Sequence, residues 1–165
     1  MPDPRGPSSN IELRVLRSHF TATVRAEVDQ SALSLAMGRV QQAVRDALEK
    51  QGVTPASGPF ARYHSFGDTI DFEAGVQVER PITADGDVKP GELPSGPAAI
   101  AVHAGPYDTL GATYDAMRRW LEGNGDYEAN GGPWEIYLTD PSAEPDPAKW
   151  LTEIIFPLKA SSSKS

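Results

Sequence analysis

At 165 residues the chain is long enough for one domain with a proper core, and its 23 Asp and Glu against 15 Lys and Arg leave a formal charge of -8. An acidic surface repels phosphate backbones, so nucleic acid is not an expected direct partner; the absence of cysteine excludes disulfides, thiolate metal sites and a cysteine nucleophile. No apolar run approaches the roughly 18 residues of a membrane span, and the polar, Pro- and Ser-rich residues 1–10 lack the apolar core of a secretory signal, which fits a cytoplasmic protein with no membrane partner.

Residues 1–10 and 160–165 read as flexible tails around a single domain at 11–159. Ile11 to Val15 alternates apolar and charged residues, and Phe20 to Val28 alternates again with Thr21, Thr23 and Val24, which predicts two strands or one bent strand. Asp29 offers an N-cap, and from Ser31 the residues Leu33, Met37, Val40, Val44 and Leu48 step by four and three along one helix face until Gly52. Gly58-Pro59 opens a strand from Phe60 to Ser65, and Phe66-Gly67-Asp68 suits a tight hairpin into Thr69 to Val78. Residues 81–96, rich in Pro and Gly, read as a long connector between half-units of about 11–80 and 97–159.

The second half begins with an apolar strand, Ala98 to Ala104, and turns at Gly105-Pro106. A helix follows with the stripe Leu110, Tyr114, Met117 and Leu121, stopped by Gly123 and Gly125. Gly132-Pro133 opens the strand Trp134 to Thr139, a proline-rich acidic loop spans 140–147, and Trp150 to Leu158 is the last strand.

Leu48-Glu49-Lys50-Gln51-Gly52 followed by Gly58-Pro59-Phe60-Ala61-Arg62-Tyr63 recurs as Leu121-Glu122-Gly123-Asn124-Gly125 followed by Gly132-Pro133-Trp134-Glu135-Ile136-Tyr137. A unit said twice predicts two β-α-β-β halves related by an approximate twofold, an α+β fold with an antiparallel-rich sheet, two helices on one face and a ligand cleft between the halves. At the matched positions the first copy has Ala61 and the second Glu135, so one carboxylate is placed where its twin has none.

Alternation puts Glu135 and Tyr137 on one side of their strand, and Tyr63 on the matched side of the first copy. One acid among phenol rings suits a flat, hydrophobic cation, since each ring face adds about 0.5–2 kcal/mol of cation–π attraction. The same Glu135 also fits the wet face of an ordinary antiparallel strand, and the tyrosines fit core-rim positions. Tyr107 opens the second helix and is placed to reach over a cleft edge. Glu73 reads as a solvent-side strand residue or a cleft acid, and Glu153 as a strand-end or buried, partnered acid. His19, His64 and His103 lie in separate strands without ligand spacing, so no metal is expected, and no phosphate-loop, nucleophile-elbow or dinucleotide signature implies a cofactor.

Three runs carry a resemblance to the GyrI-like small-molecule-binding domains and to the effector-binding domains of AraC- and MerR-type multidrug regulators. They are Gly105-Pro106-Tyr107 with Leu110 and Tyr114, Gly132 to Pro141 with its Trp134-Glu135-Ile136-Tyr137 core, and Trp150 to Leu158, with Gly58 to His64 upstream. The resemblance implies a duplicated fold with a cleft on the pseudo-twofold, and a glutamate at Glu135 that meets cationic aromatic drugs, with Tyr63, Tyr107 and Tyr137 as walls. Unlike the regulators, the sequence shows no helix-turn-helix region. The leading expectation is therefore a binder or sequesterer of hydrophobic, often cationic, aromatic molecules. A second is a hydrolase that adds water to cyclopropane-bearing electrophiles with Glu135 or Glu153 as general base. A third is a gyrase-interacting protective protein, with a topoisomerase as partner.

Overall fold

The computed structural model describes residues 11–161. The expected tails at 1–10 and 162–165 lie outside the described residues, whereas Ala160 ends the last strand and the Ser161 amide donates to the Asp126 carbonyl at 2.9 Å. The described residues form nine strands, paired antiparallel, and two α-helices, which makes an α+β fold. It divides into two compact units: residues 17–95 with 132–136, here the α1 unit, and residues 11–16 with 96–131 and 137–161, the α2 unit.

In the α1 unit, β2 (His19–Asp29) pairs with β4 (Thr69–Val78) along ten register positions, and with β5 (Lys89–Leu93) on its other edge. β5 lies within the stretch expected to be a plain connector; Pro90 and Gly91 hid it, and an edge strand tolerates both because one side of its backbone needs no partner. β3 (Phe60–Phe66) pairs with β4 through the two-residue turn Gly67-Asp68, as the sequence predicts. Its register slips by one residue at His64, which sits in a bulge between Tyr63 and Ser65.

Asp29 does stand at a helical entrance, but it precedes a short 3-10 turn at Gln30–Ala32 and its side chain makes no capping bond. α1 (Leu33–Gln51) follows and buries Val40, Gln41, Val44, Ala47 and Leu48 against β2 and β4. Gly52 stops it in the left-handed conformation (φ 65°), where a Cβ would be strained, and the Val53 amide closes the end on the Leu48 carbonyl at 3.0 Å. The sheet face that carries Ala22, Ile70, Phe72, Ala74 and Val76 is apolar and nearly fully excluded from water; full burial of a Phe or Ile such as Phe72 or Ile70 stabilises by about 1.5–3 kcal/mol. Gln41 is the polar exception in this layer: its Nε2 donates to the Phe60 and Gly75 carbonyls, each at 3.3 Å.

In the α2 unit, β1 (Glu12–Leu16) pairs with β6 (Gly96–Ala104), and β6 with β9 (Leu151–Ala160). A short β7 (Tyr127–Ala129), not anticipated from the sequence, adds to the far end of β9. α2 (Leu110–Glu122) closes a core of Ala99, Ala101, Leu110, Met117, Ile154, Phe156 and Leu158, with Tyr114, Trp120 and Leu121 packed at its margin. The remaining strand, β8 (Trp134–Tyr137), carries the second copy of the repeated motif.

Candidate functional site

β8 and β3 are the two copies of the Gly-Pro-aromatic strand, and they pair with each other: Phe60 opposes Ile136, Ala61 opposes Glu135 and Arg62 opposes Trp134. Equivalent positions of the repeat, Ala61 and Glu135, therefore meet face to face at the local twofold of an antiparallel pair. The pairing is extended by the Tyr63 amide, which donates to the Pro133 carbonyl at 3.1 Å. Gly132 permits this approach, because a Cβ there would sit 2.3 Å from the Tyr63 carbonyl oxygen.

Cross-strand partners share a face. Glu135, Ala61, Ala74 and Val24 consequently form one row across β8, β3, β4 and β2, with exposures of 5, 0, 0 and 8 %. A carboxylate thus ends an otherwise aliphatic row, and the reading of Glu135 as a wet strand face does not hold. Tyr63, two residues along β3, shares that face opposite Phe72 and is half-buried, its ring meeting Phe66 edge-on at 5.6 Å.

The opposite face of the same strands is polar and mutually bonded. Glu73 opposes Arg62 and Arg25 there, so it points away from the Glu135 row. It is half-buried rather than solvent-facing: Thr23 Oγ1 donates to Oε2 at 2.7 Å, and His64 Nε2, turned in by the bulge, lies 3.1 Å from Oε1. Arg62 donates from Nε to the Gly132 carbonyl at 3.0 Å and lays its guanidinium 5.3 Å over the Trp134 ring; burial lowers its pKa, with Glu73 opposing. Arg25 grips Asp71 with two bonds of 3.0 and 2.8 Å, which holds the Asp71 carboxyl below its usual range.

In the α2 unit, the Gly105-Pro106-Tyr107 motif makes the entrance to α2. The Gly105 amide donates to the Trp150 carbonyl at 2.8 Å, and Tyr107 begins a 3-10 turn that runs into the helix. This sets the Tyr107 ring against two others, Tyr137 at 5.6 Å edge-on and Trp150 at 5.1 Å tilted. Trp150 is held in turn by its Nε1, which donates to the Glu144 carbonyl at 2.9 Å. Beneath the turn, His103 is buried between two hydroxyls, with Nδ1 2.7 Å from Thr113 Oγ1 and Nε2 2.8 Å from Thr109 Oγ1. Thr109 spends its own hydrogen on the Pro106 carbonyl at 2.7 Å, so it accepts from His103 and fixes the proton on Nε2. His103 latches the turn that carries Tyr107 to the helix behind it.

Glu153 opposes Val102 on β6, half-buried beside the partly exposed Val102 and Leu151, while its neighbour Thr152 faces His103 on the core side. The structure thus brings Tyr107 against Tyr137 and Trp150, sets Glu135 and Tyr63 on one face of their strands, and puts Glu73 on the other. Neither His103 nor Trp150 stood out in the sequence as a site residue; the signal for both was the Gly105-Pro106 turn, which had to be anchored to something. Among the described residues, no three His, Cys, Asp or Glu side chains gather in a metal-holding group, and no helix is long and apolar enough to cross a membrane.

The family described as the GyrI-like small molecule binding domain matches residues 21–159. No curated protein matches the sequence. Among solved structures, EcmrR in its complex with DNA is similar at 24 % identity and a TM-score of 0.80, over 90 % of this chain and 57 % of that one; the chain therefore spans little more than half of that regulator. A hydrolase from Listeria innocua is similar at 17 % identity and a TM-score of 0.66, over 93 % of this chain and 94 % of that one. SAV2435 bound to tetraphenylphosphonium is similar at 14 % identity and a TM-score of 0.64, over 90 % and 93 % of the two chains. At these identities the likeness establishes the fold.

Proposed function

This chain belongs to the GyrI-like small-molecule-binding domain family, and from that premise we propose that its ligands are hydrophobic, cationic aromatic molecules for which Glu135 is the countercharge. The observation that carries this reading is the burial of Glu135 at the end of the Ala61, Ala74 and Val24 row. A carboxylate so far withdrawn from water on an aliphatic face is a rare placement, and such groups gather at functional positions. A cation that brings its own apolar surface matches both that charge and that face. Tyr63 on the same face supplies a ring for that surface. In the α2 unit Tyr107, Tyr137 and Trp150 form a separate cluster of rings, whose mutual contacts hold the exposed Tyr107 in place. Glu73 is left to the polar face, where Thr23 and His64 already engage it.

The test is a calorimetric or fluorescence titration with tetraphenylphosphonium, a cation seen bound to a protein of this fold. Glu135→Gln keeps the shape and removes the charge, so the cation is expected to bind at least about tenfold more weakly while a neutral aromatic of similar size changes less than about twofold. Tyr63→Leu weakens the cation about threefold, as the loss of one ring face predicts. If Glu135→Gln bound the cation as tightly as the parent, the charge assignment would be wrong whatever the tyrosines did.

A further inference from the structure

β1 has one strand partner among the described residues, β6, and no described strand pairs with its other edge. Natural edges of this kind are usually blunted by proline, by lysine or by an inward charge. This one reads Ile11-Glu12-Leu13-Arg14-Val15, with Val15 82 % and Leu13 45 % exposed. The order of these five residues is self-complementary. If two copies are laid antiparallel about Leu13, Leu13 faces Leu13, Ile11 faces Val15, and Glu12 faces Arg14 on both sides.

We propose that this edge pairs with the same edge of a second copy of the chain, in the register centred on Leu13, so that β1 of each copy continues the sheet of the other. Three features on the strand support it. Leu13 and Val15 project to one side, that of their β6 register partners Ala99 and Pro97, so the paired edges would form an apolar stripe that alternation continues to Ile11. Glu12 and Arg14 share the other side and already bond to each other, Arg14 Nε to Glu12 Oε2 at 2.8 Å, which leaves each exposed and able to gain a second partner of opposite sign. The neighbouring symmetric registers, centred on Glu12 or on Arg14, would set like charges face to face, so the charges select one register. The chain's overall charge of -8 opposes self-association, but the edge itself is neutral. A peptide from another protein would find the hydrogen bonds but not this matched order of charge and apolar groups.

A five-residue edge buries little area, so the pair is a weak, concentration-dependent dimer, below the roughly 1,200 Å² of stable interfaces. Sedimentation equilibrium of the full chain across micromolar to millimolar concentrations at low salt is expected to show reversible dimers. Arg14→Glu, which opposes Glu to Glu, should weaken dimerisation at least about tenfold, and Glu12→Arg with Arg14→Glu together should restore it, since both the pairing within the strand and the pairing between copies return. On the unaltered protein, hydrogen exchange should show the Glu12–Leu16 amides slowing as concentration rises. A protein that stays monomeric throughout, a dimer indifferent to Arg14→Glu, or a double variant that folds but fails to recover would each overturn the proposal.

Discussion

β3 and β8 open with the same Gly-Pro-aromatic sequence and lie against each other, yet at the point where they meet one carries Ala61 and the other Glu135. The backbone treats the two positions alike; only the side chains differ. A pair of alanines there would give a closed apolar row, and a pair of glutamates would put two carboxylates in direct opposition with little water to screen them. One of each avoids that opposition while keeping a single buried acid on the row. Two copies of one strand motif can thus share backbone geometry and register while a single position gives them opposite character, one apolar and one acidic.

The sharpest way to break that arrangement is Ala61→Glu. It sets two buried carboxylates opposite each other and should destabilise by about 3–5 kcal/mol at neutral pH, the range for an uncompensated buried charge. Like-charge repulsion and burial raise the pKa of one of the pair above its unfolded value. The folded state then holds a proton that the unfolded state has lost, so stability falls as pH rises through the unfolded range. The expected result is a melting temperature for Ala61→Glu that climbs between pH 7 and pH 5 relative to the parent.

Gly132→Ala tests whether the two strands need their close approach. The added Cβ would meet the Tyr63 carbonyl oxygen at 2.3 Å, so the backbone must shift, with an expected loss of about 2–4 kcal/mol in urea unfolding and weaker tetraphenylphosphonium binding. His103→Ala leaves β3 and β8 untouched and should cost about 1–3 kcal/mol, by stranding the buried Thr113 hydroxyl and freeing Thr109. If that variant alters tetraphenylphosphonium affinity with Glu135 intact, the aromatic turn contributes to binding separately from the carboxylate.

The smallest effect is expected at Asp71, opposite Ser65 at the far end of β3. Arg25 holds its folded pKa below the ordinary value, so the stabilisation is present above the usual carboxylate range and is lost as pH falls through the folded value. Because Arg25 is exposed and Asp71 only half-buried, Asp71→Asn should lower the urea midpoint only slightly at pH 7, and by less as the pH falls. A large effect at pH 7 would mean that the polar face, and not the Ala61–Glu135 row, holds this end of β3 in register.

Local pattern was enough for much of this molecule. Val40, Val44 and Leu48 spaced a helix whose stop at Gly52 is where the sequence puts it, and the two Gly-Pro openings marked strands that begin within a residue of Phe60 and Trp134. The contrast between Ala61 and Glu135 was visible as soon as the repeat was aligned, because side-chain alternation and motif spacing are properties of a few neighbouring residues. What they lack is any record of which distant strand lies alongside. That β1 joins β6, that Pro90 and Gly91 sit in an edge strand, that Glu73 turns away from the Glu135 row and that His103 reaches Thr109 and Thr113 all depend on contacts made when the sheet closes. The sequence by itself therefore determined the faces, the turns and the contrast between Ala61 and Glu135; tertiary structure alone decided their neighbours, because cross-strand register is a property of two segments and neither one carries it.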